Sequence, residues 1–537
     1  MNSLGFIIAA IIYLGGIAYL GYRGYKKTAS NQDYLLAGRS AHPFVMAMSY
    51  GAAFISTSAI VGFGGVAGRY GMGLQWLVFM NIAVGIFIAF VFFGRRTRKI
   101  SKILGSSTFP QFIADRFEAP SMRIFLAAVI FLFMPIYSSV VLIGGARFLQ
   151  EVLSVDYTVA LIVFGLVVSV YVFFGGLKGV MYVDALMGTI MILGLGSLLV
   201  MSYWKLGGIV EAHRELTALA PLVAERLPQE AALGHAGWTV MPKFNSVWWW
   251  TLVTSLMLGV GIGALAQPQL AVRFMTVKSS KELNRATLIG AVFIFFTVGS
   301  AYLVGALSNV FFYHTDKGIA GGIAGKLAIE AAGGNQDMII PLFISQALPP
   351  VILYIFVLTL LSAAMSTLSS LFHVTGSTIG HDLIGGLTGK DSMTLNRLSV
   401  VAGIVICVIF GYILPPGIIA RGTAVFFGIC AAAFLPGYVA ALYWPRATAA
   451  GVWASMITGV AASSFGLVFL HRSESAPLGI CKMLTGKTEL ISTFPWPYVD
   501  TMLYSLPLSI LALIVVSLVT RPPSRRVLVN CFHYYKR

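Results

Sequence analysis

Runs of about 20 apolar residues recur along the whole length of this 537-residue chain, each long enough to cross roughly 30 Å of hydrocarbon as a helix. No other feature constrains the fold so tightly. They predict an all-α polytopic membrane protein with spans at 3–22, 43–70, 73–94, 124–146, 157–175, 179–204, 246–272, 286–310, 349–380, 398–416, 422–444, 449–471 and 498–520, about 13 transmembrane helices in all. The first run, Leu4 to Tyr22, is long and lacks a cleavage-like end, so it reads as a true span. Composition agrees: 58% of residues are hydrophobic and 10% charged, whereas soluble chains are nearer half and a quarter.

An odd number of crossings puts the termini on opposite sides. With the N-terminus outside, the inner loops and ends hold 24 Lys/Arg against 6 Asp/Glu, and the outer ones 12 against 12. The whole basic surplus behind the net charge of +17 then lies on one side, which predicts N-outside and C-cytoplasmic in the cell membrane. "GRRTRKISK" (94–102), "RFMTVKSSKELNR" (273–285) and "RPPSRR" (521–526) are its main carriers. The charge is thus explained by topology and contact with membrane lipid, and nucleic acid is not expected as a partner. Of the four cysteines only Cys481 falls in an outer loop, so no external disulfide is expected. Cys531 reads as a free thiol or a lipidation point in the basic tail. No GxxxxGK[ST] loop occurs, which argues against direct coupling to ATP. The stretch 209–227 has the spacing of an amphipathic outer helix.

Two spans carry unusual breaks. Segment 43–70 holds Gly51, Gly62, Gly64, Gly65 and Gly68, and segment 246–272 holds "GVGIGALAQPQ" with Pro268. Each opens a group of five spans, so the second group crosses in the opposite sense to the first. Interrupted spans at matching places in two such halves point to a transporter's binding site. The organisation expected is a first span and inner loop (1–42), a first repeat (43–204), an outer loop (205–245), an inverted second repeat (246–444), two further spans (445–520) and a basic inner tail (521–537).

"AAMSTLSS" (363–370) places four hydroxyls near mid-depth of an otherwise apolar span. Ala363, Ser366 and Thr367 stand at i, i+3 and i+4, so one face presents a carbonyl and two hydroxyls, an uncharged oxygen set suited to a hard monovalent cation. The same depth in the broken span falls on Ala52 and Ile55, whose carbonyls are free to ligate only if the helix unwinds there. Hydroxyls that bond back to their own helix and pack against neighbours account for the cluster equally well on these grounds. Asp184 is the only acid inside a span away from its ends; it either serves a function or pairs with Lys178 near the inner end. His373 and His381 have no second ligand at metal spacing and read as packed or interfacial histidines. "WWW" (248–250) reads as an aromatic belt. No Ser–His–Asp or paired-acid constellation falls in one layer, so no enzyme is expected.

"DYLLAGRS" (33–40), "GAAFISTSAIVGFGGVAGRYGMG" (51–73), "VYVFFGGLKGVMYVDALMG" (170–188), "AQPQLAVRFMTVKSSKE" (266–282) and "SAAMSTLSSLFHVTGSTIGHDL" (362–383) resemble, in order and over about residues 1–520, signature segments of the sodium/solute symporter family, nearest its sodium/proline and sodium/pantothenate branches. The resemblance implies a leucine-transporter-like fold of two inverted five-helix repeats and sodium-driven import of a small organic solute by alternating access. It places a sodium ion on the carbonyls of Ala52, Ile55 and Ala363 and the hydroxyls of Ser366 and Thr367, and Asp184 on the inward sodium path. It places solute contacts near Phe54, Ser56, Ser58 and Ala59, and around Ala264 and Gln267. The acid usual in the proline branch at the position of Phe54 is absent, and so are the amides of sugar-type members at Phe54 and Ala59, which disfavours a sugar and leaves a small amino acid or organic acid. A proton-coupled symporter with Asp184 as carrier and a solute sensor are the rival readings. Oligomeric state is not legible.

Overall fold

The computed structural model describes residues 3–314, 325–414 and 419–532. Positions 315–324 of the second large outer loop, 415–416 at the end of the tenth expected span and 533–537 of the basic tail lie outside the described residues. The described backbone is helical, with a single isolated bridge between Ala41 and Val277. Among the described residues eleven helices are long and apolar enough to cross a membrane, and Pro43–Phe54 with Ser58–Tyr70, bent by 52°, makes a twelfth if the pair is one broken span.

The thirteenth expected crossing is contained in the longest helix. Tyr157–Lys205 has 49 residues, about 74 Å at 1.5 Å per residue and more than twice the hydrocarbon thickness. Gly176 divides it with φ 54° and ψ −160°, a conformation that glycine alone adopts freely; a Cβ there would also stand 2.6 Å from the Tyr34 ring. The expected spans 157–175 and 179–204 are the two arms of this one bent element.

Helix starts follow local chemistry. The Asp156 carboxylate accepts from the amides of Thr158 and Val159, Ser279 and Glu282 form a capping box at the head of Ser280–Tyr313, and Ser392 and Thr448 cap the helices that follow them. The expected outer helix at 209–227 is two helices, Ile209–Ala218 and Pro221–Arg226, because Pro221 cannot continue the first.

Between helices already surrounded by apolar groups, close packing replaces the hydrophobic effect as the binding force. Ser58–Tyr70 lies backbone to backbone on Ser280–Tyr313: a Cβ at Gly305 would meet the Gly64 carbonyl oxygen at 2.1 Å. The hydroxyl-bearing helix Pro350–Ser377 packs on both Tyr157–Lys205 and Pro120–Leu153 and touches Pro43–Phe54, the first half of the broken span. It is central, with 78% of its apolar window buried, against 22% for the first span and 28% for the last.

The two ends of the bundle differ. At the end that carries the basic loops, the Ala41 amide donates to Thr276 O at 3.1 Å and the Arg39 guanidinium reaches Ser106 O at 2.7 Å and Ser101 Oγ at 3.1 Å, tying the ends of both interrupted spans together. At the other end a cavity of about 640 Å³ opens among Arg69, Tyr70, Trp248, Arg421 and their neighbours. The molecule is therefore closed at the basic end and open at the opposite one.

Candidate functional site

The break in Pro43–Tyr70 is local. Pro43 starts the helix at its first position, where proline is tolerated. The helix runs to Phe54, and Ile55 is extended at φ −94° and ψ 104°. Beyond Ile55 the hydrogen-bond ladder stops, so the carbonyls of Ala52, Ala53 and Ile55 lose their ordinary donors. The helix Pro350–Ser377 lies across this gap. The Ser366 hydroxyl donates to Ala52 O at 2.9 Å and to Ala363 O at 3.3 Å. Thr367 Oγ1 is 3.3 Å from Ala52 O, 3.3 Å from Ala53 O and 3.4 Å from Ile55 O. Ala52, Ile55, Ala363, Ser366 and Thr367 thus meet in one cluster, all five fully buried. The cluster offers neutral oxygens and no carboxylate, a donor set for a hard monovalent ion rather than a transition metal. Among the described residues no group of three or more His, Cys, Asp and Glu stands ready for a metal.

One helical turn further toward the closed end lies Asp184, 0% exposed, and its partner is Arg273 rather than Lys178. Lys178 instead reaches Asp33 at 2.7 Å. Arg273 Nη2 stands 3.0 Å from Asp184 Oδ2, the Ser49 hydroxyl donates to the same oxygen at 2.7 Å, and Arg273 Nε donates to Ser49 Oγ at 2.9 Å. Ser369 Oγ is 3.4 Å from Asp184 Oδ1, and Arg273 also reaches Ser370. Ser369 and Ser370 both donate to the Ser366 carbonyl at 2.9 and 2.8 Å. The ion pair is therefore one layer of hydroxyls from the neutral cluster. Arg273 had been expected in an inner loop. Gln267 is extended before Pro268, and a fresh helix, Pro268–Thr276, carries the arginine back into the protein, where Nη1 donates to Gln269 O at 2.6 Å. The Gln269–Arg273 spacing of four after a proline was the available signal.

On the open side of the break a cavity of about 20 Å³, room for about one water, is lined by Phe54, Ser56, Ala59, Asn81, Tyr137, Val260, Tyr302, Thr423 and Phe427. Phe54, Ser56 and Ala59 therefore face it, while Ser58, Ala264 and Gln267 do not line it. Ser58 Oγ, Asn81 Oδ1 and Gln267 Nε2 are buried without a hydrogen-bond partner among the described residues. Phe63, Val260 and Thr423, which also line it, lie about one turn further along their helices than Val66, Leu256 and Ala420 of the 640 Å³ cavity, so the small cavity sits beneath the large one. Asn81 and Thr423 were missed from sequence, although an amide in the middle of an apolar run marks Asn81 out. Trp248 belongs to the vestibule wall rather than to a lipid belt: it is 7% exposed and stacks on Tyr70 at 3.7 Å between centroids.

A family model for the sodium:solute symporter family matches residues 34–459. The chain belongs to that family. The sodium/pantothenate symporter of Haemophilus influenzae is 29% identical over 467 residues, covering 85% of this chain and 89% of that one. The osmoregulated proline transporter of Bacillus subtilis is 27% identical over 531 residues, covering 97% and 96%. A substrate-bound, outward-open sodium-coupled sialic acid symporter of known structure superposes with a TM-score of 0.72 over 97% of this chain and 99% of that one, at 16% identity, a likeness of fold. This sodium:solute symporter is thus a multi-pass membrane protein with a leucine-transporter-like helical architecture, and the curated relatives it matches are transporters.

Proposed function

We propose that this symporter imports a small organic solute, an amino acid such as proline or a pantothenate-like monocarboxylate, by alternating access driven by sodium. Sodium is held by the carbonyls of Ala52, Ile55 and Ala363 and the hydroxyls of Ser366 and Thr367. The single observation that carries this reading is that two neighbouring hydroxyls of one helix reach, at 2.9 to 3.4 Å, the carbonyls freed by the break in another. Sodium in that cluster fixes the unwound segment against the hydroxyl helix, which shapes the cavity beside Phe54, Ser56 and Ala59, so ion and solute bind together. Ser58, Ala264 and Gln267 complete the solute contacts when the two breaks approach, and the unpartnered Ser58 Oγ and Gln267 Nε2 are the atoms free to do so. Asp184 lies on the inward path of the ion.

The sided basic charge supports a cell-membrane protein with its N-terminus outside and its C-terminus in the cytoplasm, so the 640 Å³ cavity faces outward. The two groups of spans, 43–204 and 246–444, are the inverted repeats. The driving force is adequate: one sodium crossing 100 mV gains about 2.3 kcal/mol and a tenfold gradient adds about 1.4 kcal/mol, together enough for several-hundred-fold accumulation. Coupling to a proton on Asp184 is disfavoured by the guanidinium that already balances that carboxylate. Uptake of labelled proline, pantothenate, other amino acids and monocarboxylates into proteoliposomes tests the reading. Accumulation with an inward sodium gradient and none with choline is expected. Equal uptake in both, or uptake driven by a pH gradient at zero sodium, overturns it.

A further inference from the structure

The charges around the open cavity are arranged with one sign toward the water. Among the described residues that line the 640 Å³ vestibule, Arg69 and Arg421 carry charge and none is acidic. Each arginine has a glutamate behind it. Arg69 donates through Nε and Nη2 to Glu230 Oε1, at 3.2 and 2.6 Å. Arg421 Nε stands 3.5 Å from Glu474 Oε1, and its Nη2 donates to Ser473 O at 2.6 Å. Nη1 of each arginine is left without a hydrogen bond among the described residues. The glutamates are the covered partners, 10% and 13% exposed against 29% and 41% for the arginines. Glu474 is also shared with His471, and Asp500 is buried with its Oδ1 accepting from the Met502 amide. The positive ends of both pairs therefore face the cavity and the negative ends face protein, and a cleft with low-dielectric walls strengthens such a field.

The solute cavity beneath holds no charge of either sign among the described residues. Its polar lining is Ser56, Asn81, Tyr137, Tyr302 and Thr423, beside the rings of Phe54 and Phe427, 6.4 Å between centroids. Hydroxyls and amides of this kind can donate to a carboxylate, whose charge the caged sodium balances. An ammonium group has no such partner. The carbonyls freed by the break accept from Ser366 and Thr367 or, in the loaded state, ligate sodium. A buried cation with neither counter-charge nor free acceptors is strongly disfavoured.

We propose that Arg69 and Arg421 are specificity-determining residues, and that the solute is a small monocarboxylate anion without an ammonium group rather than an amino acid. The inference rests on the sodium-symport reading above and narrows its solute. The two guanidinium groups gather the anion in the vestibule. The neutral donors below then take its carboxylate beside the sodium cage, and Phe54 and Phe427 take its short apolar body. An amino acid gains the same attraction for its carboxylate but brings a positive charge that meets Arg69 and Arg421 first and finds no acid afterwards.

The experiment compares initial uptake into proteoliposomes for labelled pairs that differ in the amine: propionate against L-alanine, and cyclopentanecarboxylate against L-proline, with pantothenate as a larger monocarboxylate. Under an inward sodium gradient the carboxylate of each pair should enter at least about tenfold faster than its amino partner. In Arg69→Gln/Arg421→Gln the KM for the preferred carboxylate should rise about tenfold with the maximal rate kept, because the lost charge acts on capture. Arg69→Lys/Arg421→Lys should stay near the wild type. Raising the ionic strength with choline chloride at constant sodium should raise KM in the wild type and not in the glutamine variant. Uptake of L-alanine or L-proline at a rate equal to or above that of its partner overturns the inference. So does uptake of none of the five compounds, or an unchanged KM in the folded glutamine variant. If that variant does not fold, the matched pairs and the salt dependence of the wild type decide. A carboxylate preference that persists when choline replaces sodium would instead overturn the symport reading and leave the solute assignment standing.

Discussion

The Ser366 hydroxyl lies 2.9 Å from the carbonyl oxygen of Ala52, a residue 314 positions earlier in the chain. Such a contact inside a membrane requires that one helix give up its own ladder and that another present a hydroxyl at that depth. Both conditions are met because Ile55 is extended and because Ala363, Ser366 and Thr367 share a face.

Replacing Thr367 with alanine removes one of the two hydroxyls and leaves the fold intact, since a single neutral hydrogen bond is worth about 1 kcal/mol. The sodium concentration for half-maximal uptake should rise about tenfold or more, with the maximal rate reached only at high sodium. Thr367→Ser, which keeps the oxygen, should stay close to the wild type. Uptake titrated against sodium checks both.

Asp184 and Arg273 should behave as a unit. Removing either leaves a buried charge without its partner, a loss of about 3–5 kcal/mol in comparable pairs. Asp184→Ala and Arg273→Ala should each lower the unfolding temperature in detergent markedly. The double variant should lose much less than the two losses combined. Thermal unfolding of the three variants is the measurement; simple additivity would contradict the pairing.

The contact of Gly305 with the Gly64 carbonyl predicts sensitivity to a single methyl group. A Cβ at 2.1 Å from backbone has no rotamer by which to escape. Gly305→Ala should force Ser58–Tyr70 away from Ser280–Tyr313 at a cost of about 1–3 kcal/mol. Lower yield of folded protein and a lower unfolding temperature should result. Gly15→Ala, where nothing lies within 4 Å, is the control.

His235, in the loop behind Tyr70, supplies a pH dependence. Burial against Tyr70 and Trp238 pushes its imidazole down to about 4, helped by the nearby Arg69 charge and opposed by Glu230. The unfolded chain takes up a proton near pH 6.5 and the folded one does not until about 4. Stability is full above about pH 6.5 and falls as pH drops toward 4, by roughly 3 kcal/mol from this group. Unfolding temperature measured from pH 7.5 to 4.5 should fall less steeply in His235→Gln than in the wild type.

What the sequence made legible follows the regularity of the physics behind it. Apolar run length set the spans, and helical periodicity placed Ala363, Ser366 and Thr367 on one face, because both depend on local geometry alone. The break at Ile55 was legible through its glycine-rich surroundings. Arg273 was not, because reading 246–272 as one span put the arginine outside the membrane, whereas Pro268 restarts a helix that returns it to the core. The crossing count blurred at Gly176, where a positive φ bends one helix into two spans without a loop between them. Trp248 was read with its two tryptophan neighbours as a belt, since composition cannot say which ring of three turns inward to stack on Tyr70. Each miss is a tertiary placement that local pattern does not encode.

Equilibrium binding of radioactive sodium to the purified protein tests the central claim most directly. The account predicts saturable binding to the wild type, much weakened in Thr367→Ala and abolished in Ser366→Ala/Thr367→Ala, with thermal unfolding showing all three proteins folded. Undiminished sodium binding in the folded double variant would contradict it.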